Sequence, residues 1–120
     1  MCLILQYAIQ KKKLQNYGIN AVANHRDRKL LDLAHRVEWC QFNLPGCEHF
    51  TGGCEPIHAD GLWYGKGTGI KSHDVYHVAG CGSCHRAYEK LSKWEKPEVF
   101  DRACLRTHLF CWKNGWVGVK

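Results

Sequence analysis

Eight cysteines and eight histidines in 120 residues carry most of the chemistry this sequence offers. Cys81-Gly82-Ser83-Cys84 is a tight C-x-x-C, and Cys40 and Cys47 bracket a Leu44-Pro45-Gly46 turn that brings a second pair of sulfurs together. Four thiolates in two local pairs are the donor set of a closed tetrahedral zinc site. Such a site is structural, because a metal bound with about 10 kcal/mol or more can hold a domain whose loops bury little apolar surface. Cys54 competes with Cys47 for the fourth position, and the turn favours Cys47. Cys2, Cys104 and Cys111 belong to no short-spaced pair and read as core or surface thiols.

Other uses of the same residues fit less well. Cys81 to His85 also spells C-x-x-C-H, the attachment pattern of c-type haem, but that chemistry belongs to exported chains and Met1 is the sole methionine. A thioredoxin-like redox pair needs a surrounding βαβ pattern that the sequence lacks. The opening Met1-Cys2-Leu3-Ile4-Leu5 is short and has no basic segment before it, and no apolar run approaches the ~20 residues of a membrane span. The expected compartment is therefore a reducing cytoplasm, where clustered cysteines bind metal more often than each other.

Further residues, taken in order, carry a resemblance. Pro56-Ile57-His58-Ala59-Asp60, then Gly67-Thr68-Gly69-Ile70-Lys71, then Asp74, then Cys81-Gly82-Ser83-Cys84-His85 resemble the HNH branch of the ββα-metal (His-Me finger) nucleases. With Arg26 to Arg36 and the Cys40 to Cys47 segment added, the pattern is most similar to the phage and prophage nucleases of the YbcO type. It covers about residues 26 to 113. Each piece alone is a weak motif, and their order and spacing make the combination specific.

The resemblance implies a β-hairpin followed by a helix around one divalent cation, Mg2+ or Mn2+, with DNA as substrate in a bacterial host cell. His58 matches the general base, which takes a proton from the attacking water near neutral pH. Asp74 matches the middle position, which orients that imidazole or contributes to the cation site. His85 matches the last histidine, a direct cation ligand at the start of a helix that the zinc would anchor. One position departs from the pattern: Ile57 stands where many HNH enzymes place a ligand. Either Asp60, two residues on, supplies that oxygen, or His58 is itself a ligand. The other six histidines read as surface or hydrogen-bonded core residues.

Around these residues the sequence is loop-rich. Nine of the twelve glycines lie between Gly46 and Gly82. Gly65-Lys66-Gly67-Thr68-Gly69-Ile70-Lys71 is flexible and basic, so Lys66 and Lys71 are candidates to meet a phosphate backbone, although the spacing is not that of a nucleotide P-loop. The elements that must position the site are few. Leu30, Leu31, Leu33, Ala34 and Val37 fall at helical spacing between residues 26 and 37. A short helix is expected over 85 to 93, beginning inside or just after the second cysteine pair. Pro97 suits the first turn of a longer helix that stops at Gly115, and residues 116 to 119 suit a short strand.

Length, at 13.8 kDa, fits one domain, and 45% hydrophobic residues exclude wholesale disorder. The expected class is α+β, a small zinc-stabilised ββα-metal core with flanking helices and long loops, over residues 26 to 120. Residues 1 to 25 form a basic arm. The net charge of +6 divides as +4 over residues 1 to 39, −1 over 40 to 90 and +3 over 91 to 120. Basic flanks favour an anionic partner. The function expected is cation-dependent cleavage of DNA. Two other readings compete: a zinc-stabilised nucleic-acid binding module without catalysis, and a protein-binding scaffold using Trp94, Trp112 and Trp116.

Overall fold

The computed structural model describes residues 24–67 and 69–119. Residues 1 to 23 of the basic arm, with Cys2, lie outside the described residues. Its last two positions are tied to the domain: the Asn24 side chain donates to the carbonyls of Gly65 at 2.7 Å and Lys71 at 2.8 Å, and the His25 amide donates to His73 Nδ1 at 2.8 Å.

The chain runs through helix α1 (Arg28–Asp32), strand β1 (Glu55–His58), strand β2 (His77–Gly80), helix α2 (Gly82–Glu89) and helix α3 (Glu95–Lys113). The two strands pair antiparallel, with Glu55 opposite Gly80, Ile57 opposite Val78 and His58 opposite His77. This is a small α+β domain. No helix among the described residues is long and apolar enough to cross a membrane.

Two strands alone are marginal in water, so other segments close the sheet. All four residues of β2 are buried. Its Ala79 amide donates to Thr107 Oγ1 of α3 at 3.1 Å, while the Ala79 carbonyl accepts from the Gln41 amide at 2.9 Å. Helix α3 turns Phe100, Ala103, Cys104, Thr107 and Cys111 inward at spacings of three and four, as an amphipathic helix should. Phe100 then packs with Phe42, Tyr64 and Tyr88 around Ile57 and Val78. A second small cluster joins Ala34, Val37, Cys54 and Ala79 beneath Phe110 and Trp116.

Helix α1 is shorter than the apolar spacing over 26 to 37 predicts. Asp27 fixes its start, because Oδ1 accepts from the Leu30 amide at 3.1 Å while the Asp27 amide donates to Asp74 Oδ2 at 2.7 Å. Its end tightens into a 3-10 turn at Leu33–Arg36, and Val37 is extended, its carbonyl accepting from Cys54 at 2.8 Å. Helix α2 does begin inside the cysteine pair, but ends at Glu89 rather than residue 93. The next helix starts there: Ser92 Oγ accepts from the Glu95 amide and Glu95 Oε1 from the Ser92 amide, both at 3.2 Å. Pro97 lies in the first turn of α3, and Gly115 follows its end at φ +72°.

The strand expected at residues 116 to 119 is absent. The left-handed Gly115 folds the chain back, the Trp116 amide donates to the Cys111 carbonyl at 3.0 Å, and the Trp116 ring lies between Phe110 and the Arg36 guanidinium. Trp116 is thus a packing residue.

Candidate metal centre and adjoining cleft

Cys40, Cys47, Cys81 and Cys84 come together, their four sulfurs all within 4.8 Å of one another. Local sequence builds each half. The Cys47 amide donates to the Leu44 carbonyl at 3.0 Å and Gly46 takes φ +84°, which closes the Pro45-Gly46 turn and returns Cys47 beside Cys40. Cys81 caps α2, its sulfur accepting from the Cys84 amide at 3.4 Å, so one helical turn sets the second pair.

The donor set fits zinc. Tetrahedral coordination with Zn–S bonds of ~2.3 Å needs sulfurs ~3.8 Å apart, and Cys47 and Cys81 already stand 4.0 Å apart. Backbone amides of Cys81, Glu48 and His49 point at the sulfurs of Cys40, Cys81 and Cys47, at 3.3, 3.5 and 3.2 Å. Burial opposes ionisation at Cys40, but the amides of Asn43, Cys81 and Phe42 and the Cys47 thiol outweigh it and hold the Cys40 thiol below the ordinary range. Burial pushes Cys47 and Cys84 up. A bound cation is what lets four such sulfurs be thiolates together. These four cysteines can therefore hold a metal such as zinc. Cys54 lies outside the group, its sulfur 3.7 Å from Thr51 Oγ1 and its thiol pushed up to about 11 by burial. Cys104 and Cys111 are buried core thiols.

Beside this centre, where β1 ends, a cleft of about 260 Å³ gathers His58, Asp60, Lys66, Lys71 and His85 into one wall-to-wall arrangement with Ser72, Glu89 and Lys96. Asp74 stands behind it. His58 Nε2 is 2.8 Å from Asp74 Oδ1, and Asp74 is almost fully buried. Burial alone would raise the Asp74 carboxyl, but the His58 bond, the Asp27 amide and the Arg26 guanidinium at 3.5 Å hold it below the ordinary carboxylate range. A carboxylate there fixes the imidazole proton on Nε2, which leaves Nδ1 as an acceptor.

His85 sits on the first turns of α2 between two carboxylates. Its Nδ1 is 2.9 Å from Glu55 Oε1 and its Nε2 is 3.4 Å from Glu89 Oε1. The carboxylates within ion-pair reach of His85 are thus Glu55 and Glu89, whereas Asp60 is held by Lys96 at 2.7 Å and Lys66 at 3.6 Å. The Lys96 bond is the main reason that the Asp60 carboxyl lies below its ordinary range. Lys71 is exposed, and its ammonium meets no carboxylate among the described residues. Ile57 is a core residue.

Glu89 and Lys96 are cleft residues that motif reading passes over. His85 and Glu89 are four apart on one helix, a spacing that places both on one face and was readable. Lys96 reaches Asp60 across 36 positions of chain, and no local signal marks that pair. No protein-family model matches the chain, and neither a curated protein nor a solved structure is detectably similar to it.

Proposed function

We propose that this protein is a metal-dependent DNA endonuclease of the HNH kind, phage- or prophage-encoded and acting in the bacterial cytoplasm, with a structural zinc at the four cysteines. The observation that carries the reading is a cleft lined by His58, His85 and Glu89 in which the buried Asp74 carboxylate, behind the lining, meets His58 Nε2 at 2.8 Å. The antiparallel hairpin followed directly by α2 has the order expected of a ββα-metal core.

Each group has a task. His58 Nδ1 accepts a proton from the attacking water as its oxygen bonds to phosphorus, and the buried Asp74 carboxylate stabilises the resulting imidazolium. The bond from phosphorus to the 3' oxygen breaks, and that oxygen takes a proton from solvent. His85 and Glu89, with Asp60 once freed from its lysines, would hold Mg2+ or Mn2+. A cation held there would supply Lewis-acid stabilisation of the negative charge that grows in phosphodiester hydrolysis. Lys71 and Lys66 neutralise the DNA backbone, and the basic flanks add affinity without sequence preference.

A second reading, a zinc-stabilised DNA-binding module without catalysis, is favoured by Ile57 in a ligand position and by the capture of Asp60 between Lys96 and Lys66. Incubation of supercoiled plasmid with the protein and Mg2+ or Mn2+ separates the two. Nicked or linear product supports the nuclease; a salt-sensitive mobility shift with intact plasmid supports the module.

A further inference from the structure

His85 meets a carboxylate on each side of its ring, and the two contacts differ. Nδ1 is 2.9 Å from Glu55 Oε1, an ordinary hydrogen bond, whereas Nε2 is 3.4 Å from Glu89 Oε1, longer than the ~2.7–3.2 Å of such a bond. An ionised carboxylate only accepts, so the Glu55 contact places the hydrogen of a neutral imidazole on Nδ1 and leaves the lone pair on Nε2. That lone pair is on the side of Glu89, which lines the cleft together with His85.

Glu55 and His85 come from different elements, thirty positions apart. Glu55 opens β1 opposite Gly80, the last residue of β2, and α2 begins two residues later at Gly82. Cys81 and Cys84 belong to the four-cysteine centre and hold the turn that carries His85. The hairpin thus sets one end of the bond and the cysteine centre the other. With the His85 side chain 37% and the Glu55 side chain 46% exposed, the pair adds little to stability. Its effect is on the ring. A metal-binding histidine commonly gives its other N–H to a carboxylate, which fixes the tautomer and ring orientation and makes the ligating nitrogen more basic. Neighbouring ligands on an octahedral Mg2+ or Mn2+ with bonds of ~2.1 Å stand roughly 3.0 Å apart. Nε2 and Glu89 Oε1, at 3.4 Å, are close to that spacing.

We propose that Glu55 is a positioning residue, whose carboxylate holds the Nδ1 hydrogen of His85 so that Nε2, beside Glu89, is the nitrogen offered to the divalent cation. The proposal deepens the nuclease reading and rests on it for the identity of the cation.

The test reads tautomer and cation affinity separately on zinc-loaded protein. In nitrogen–proton correlation spectra at mildly alkaline pH, the His85 ring is identified by its loss in His85→Ala. It should carry its hydrogen on Nδ1 in wild type and shift towards Nε2–H in Glu55→Gln, whose amide donates as well as accepts. Mn2+ affinity, read from the paramagnetic resonance of the free ion, should fall roughly tenfold or more in Glu55→Gln while the melting temperature hardly moves. In a His85→Ala background the same change should cost no further affinity, because Glu55 acts through the ring. Where His85→Ala binds too weakly to measure, the tautomer decides. Additive losses would make Glu55 a direct ligand or a remote charge and overturn the proposal. A wild-type His85 with its hydrogen on Nε2, or a wild type that binds no Mn2+, would overturn it too. Plasmid cleavage by wild type together with unchanged Mn2+ affinity in the Glu55 variant removes Glu55 alone. A non-additive loss of Mn2+ affinity, with a wild type that never cleaves, upholds Glu55 and removes the nuclease.

Discussion

His58 Nε2 and Asp74 Oδ1 stand 2.8 Å apart although sixteen positions separate them in sequence, and the second Asp74 oxygen is tied to the Asp27 amide at the start of α1. One buried carboxylate therefore sets an imidazole in the cleft and anchors the first helix to the loop before β2. Replacing it disturbs two things at once. Asp74→Asn should lower plasmid cleavage by roughly 10²-fold or more through loss of the fixed tautomer and of charge stabilisation. Because the folded carboxyl is more acidic than the unfolded one, its contribution to stability is present above the unfolded value and is lost as pH falls through the folded value. Urea unfolding of wild type and variant should converge at strongly acidic pH.

Metal content tests the four-cysteine centre. About one zinc per chain is expected, and Cys84→Ser should lose it together with most of the cooperative unfolding transition. Cys54→Ser should keep the zinc, since its sulfur bonds to Thr51 and lies outside the four. Elemental analysis beside thermal melting decides both. Full zinc content and native stability in Cys84→Ser would exclude the assignment.

His77 gives a pH dependence of opposite origin to a salt bridge. Burial lowers its pKa from 6.5 to about 4, and its Nδ1 is 2.9 Å from the Asp74 carbonyl. Between those values the unfolded chain binds the extra proton and the folded one does not. Stability should thus fall as pH drops from about 6.5 towards 4, by up to about 3 kcal/mol from this group. His77→Leu, which cannot titrate, should flatten that part of the curve in chemical denaturation, whatever it costs at neutral pH.

Gly80 is a close-approach position between the sheet and the cysteine centre. A Cβ there would sit 2.7 Å from Ile57 Cδ1, 3.3 Å from Phe42 Cδ2 and 3.7 Å from Cys40 Sγ. Gly80→Ala should cost about 1–3 kcal/mol by overpacking. It should also weaken zinc retention in competition with a chelator, because Phe42, which must give way, is two residues from Cys40.

The parts of this molecule legible in its sequence are those written at short range. Cys81 and Cys84 are one helical turn apart, Cys40 and Cys47 are joined by a Pro-Gly turn, and both pairs stand where spacing puts them. His58, Asp60, Lys66, Lys71 and His85 line one cleft. What spacing does not encode is which charges neutralise each other after folding. Asp60 reads as a free oxygen donor in sequence and is held by Lys96 and Lys66 in the structure. Apolar periodicity likewise overran α1, because Val37 is drawn into a backbone bond with Cys54. The tail with Val117 and Val119 suited a strand, but Gly115 at φ +72° folds it back and the Trp116 amide bonds to the Cys111 carbonyl. Ser92-Lys93-Trp94-Glu95 is a readable helix start that Pro97 overshadowed.

The central claim is that His58 is the base of a DNA-cleaving site, and the most direct measurement is the rate of supercoiled plasmid cleavage by wild type and His58→Ala over a titration of Mg2+ or Mn2+. Wild type should cleave in a cation-dependent way and the variant should lose roughly 10²- to 10⁴-fold at every cation concentration, with zinc content and duplex affinity nearly unchanged. Partial recovery at high cation would instead make His58 a ligand. A variant that cleaves at the wild-type rate throughout the titration, or a wild type that leaves the plasmid intact, would contradict the claim.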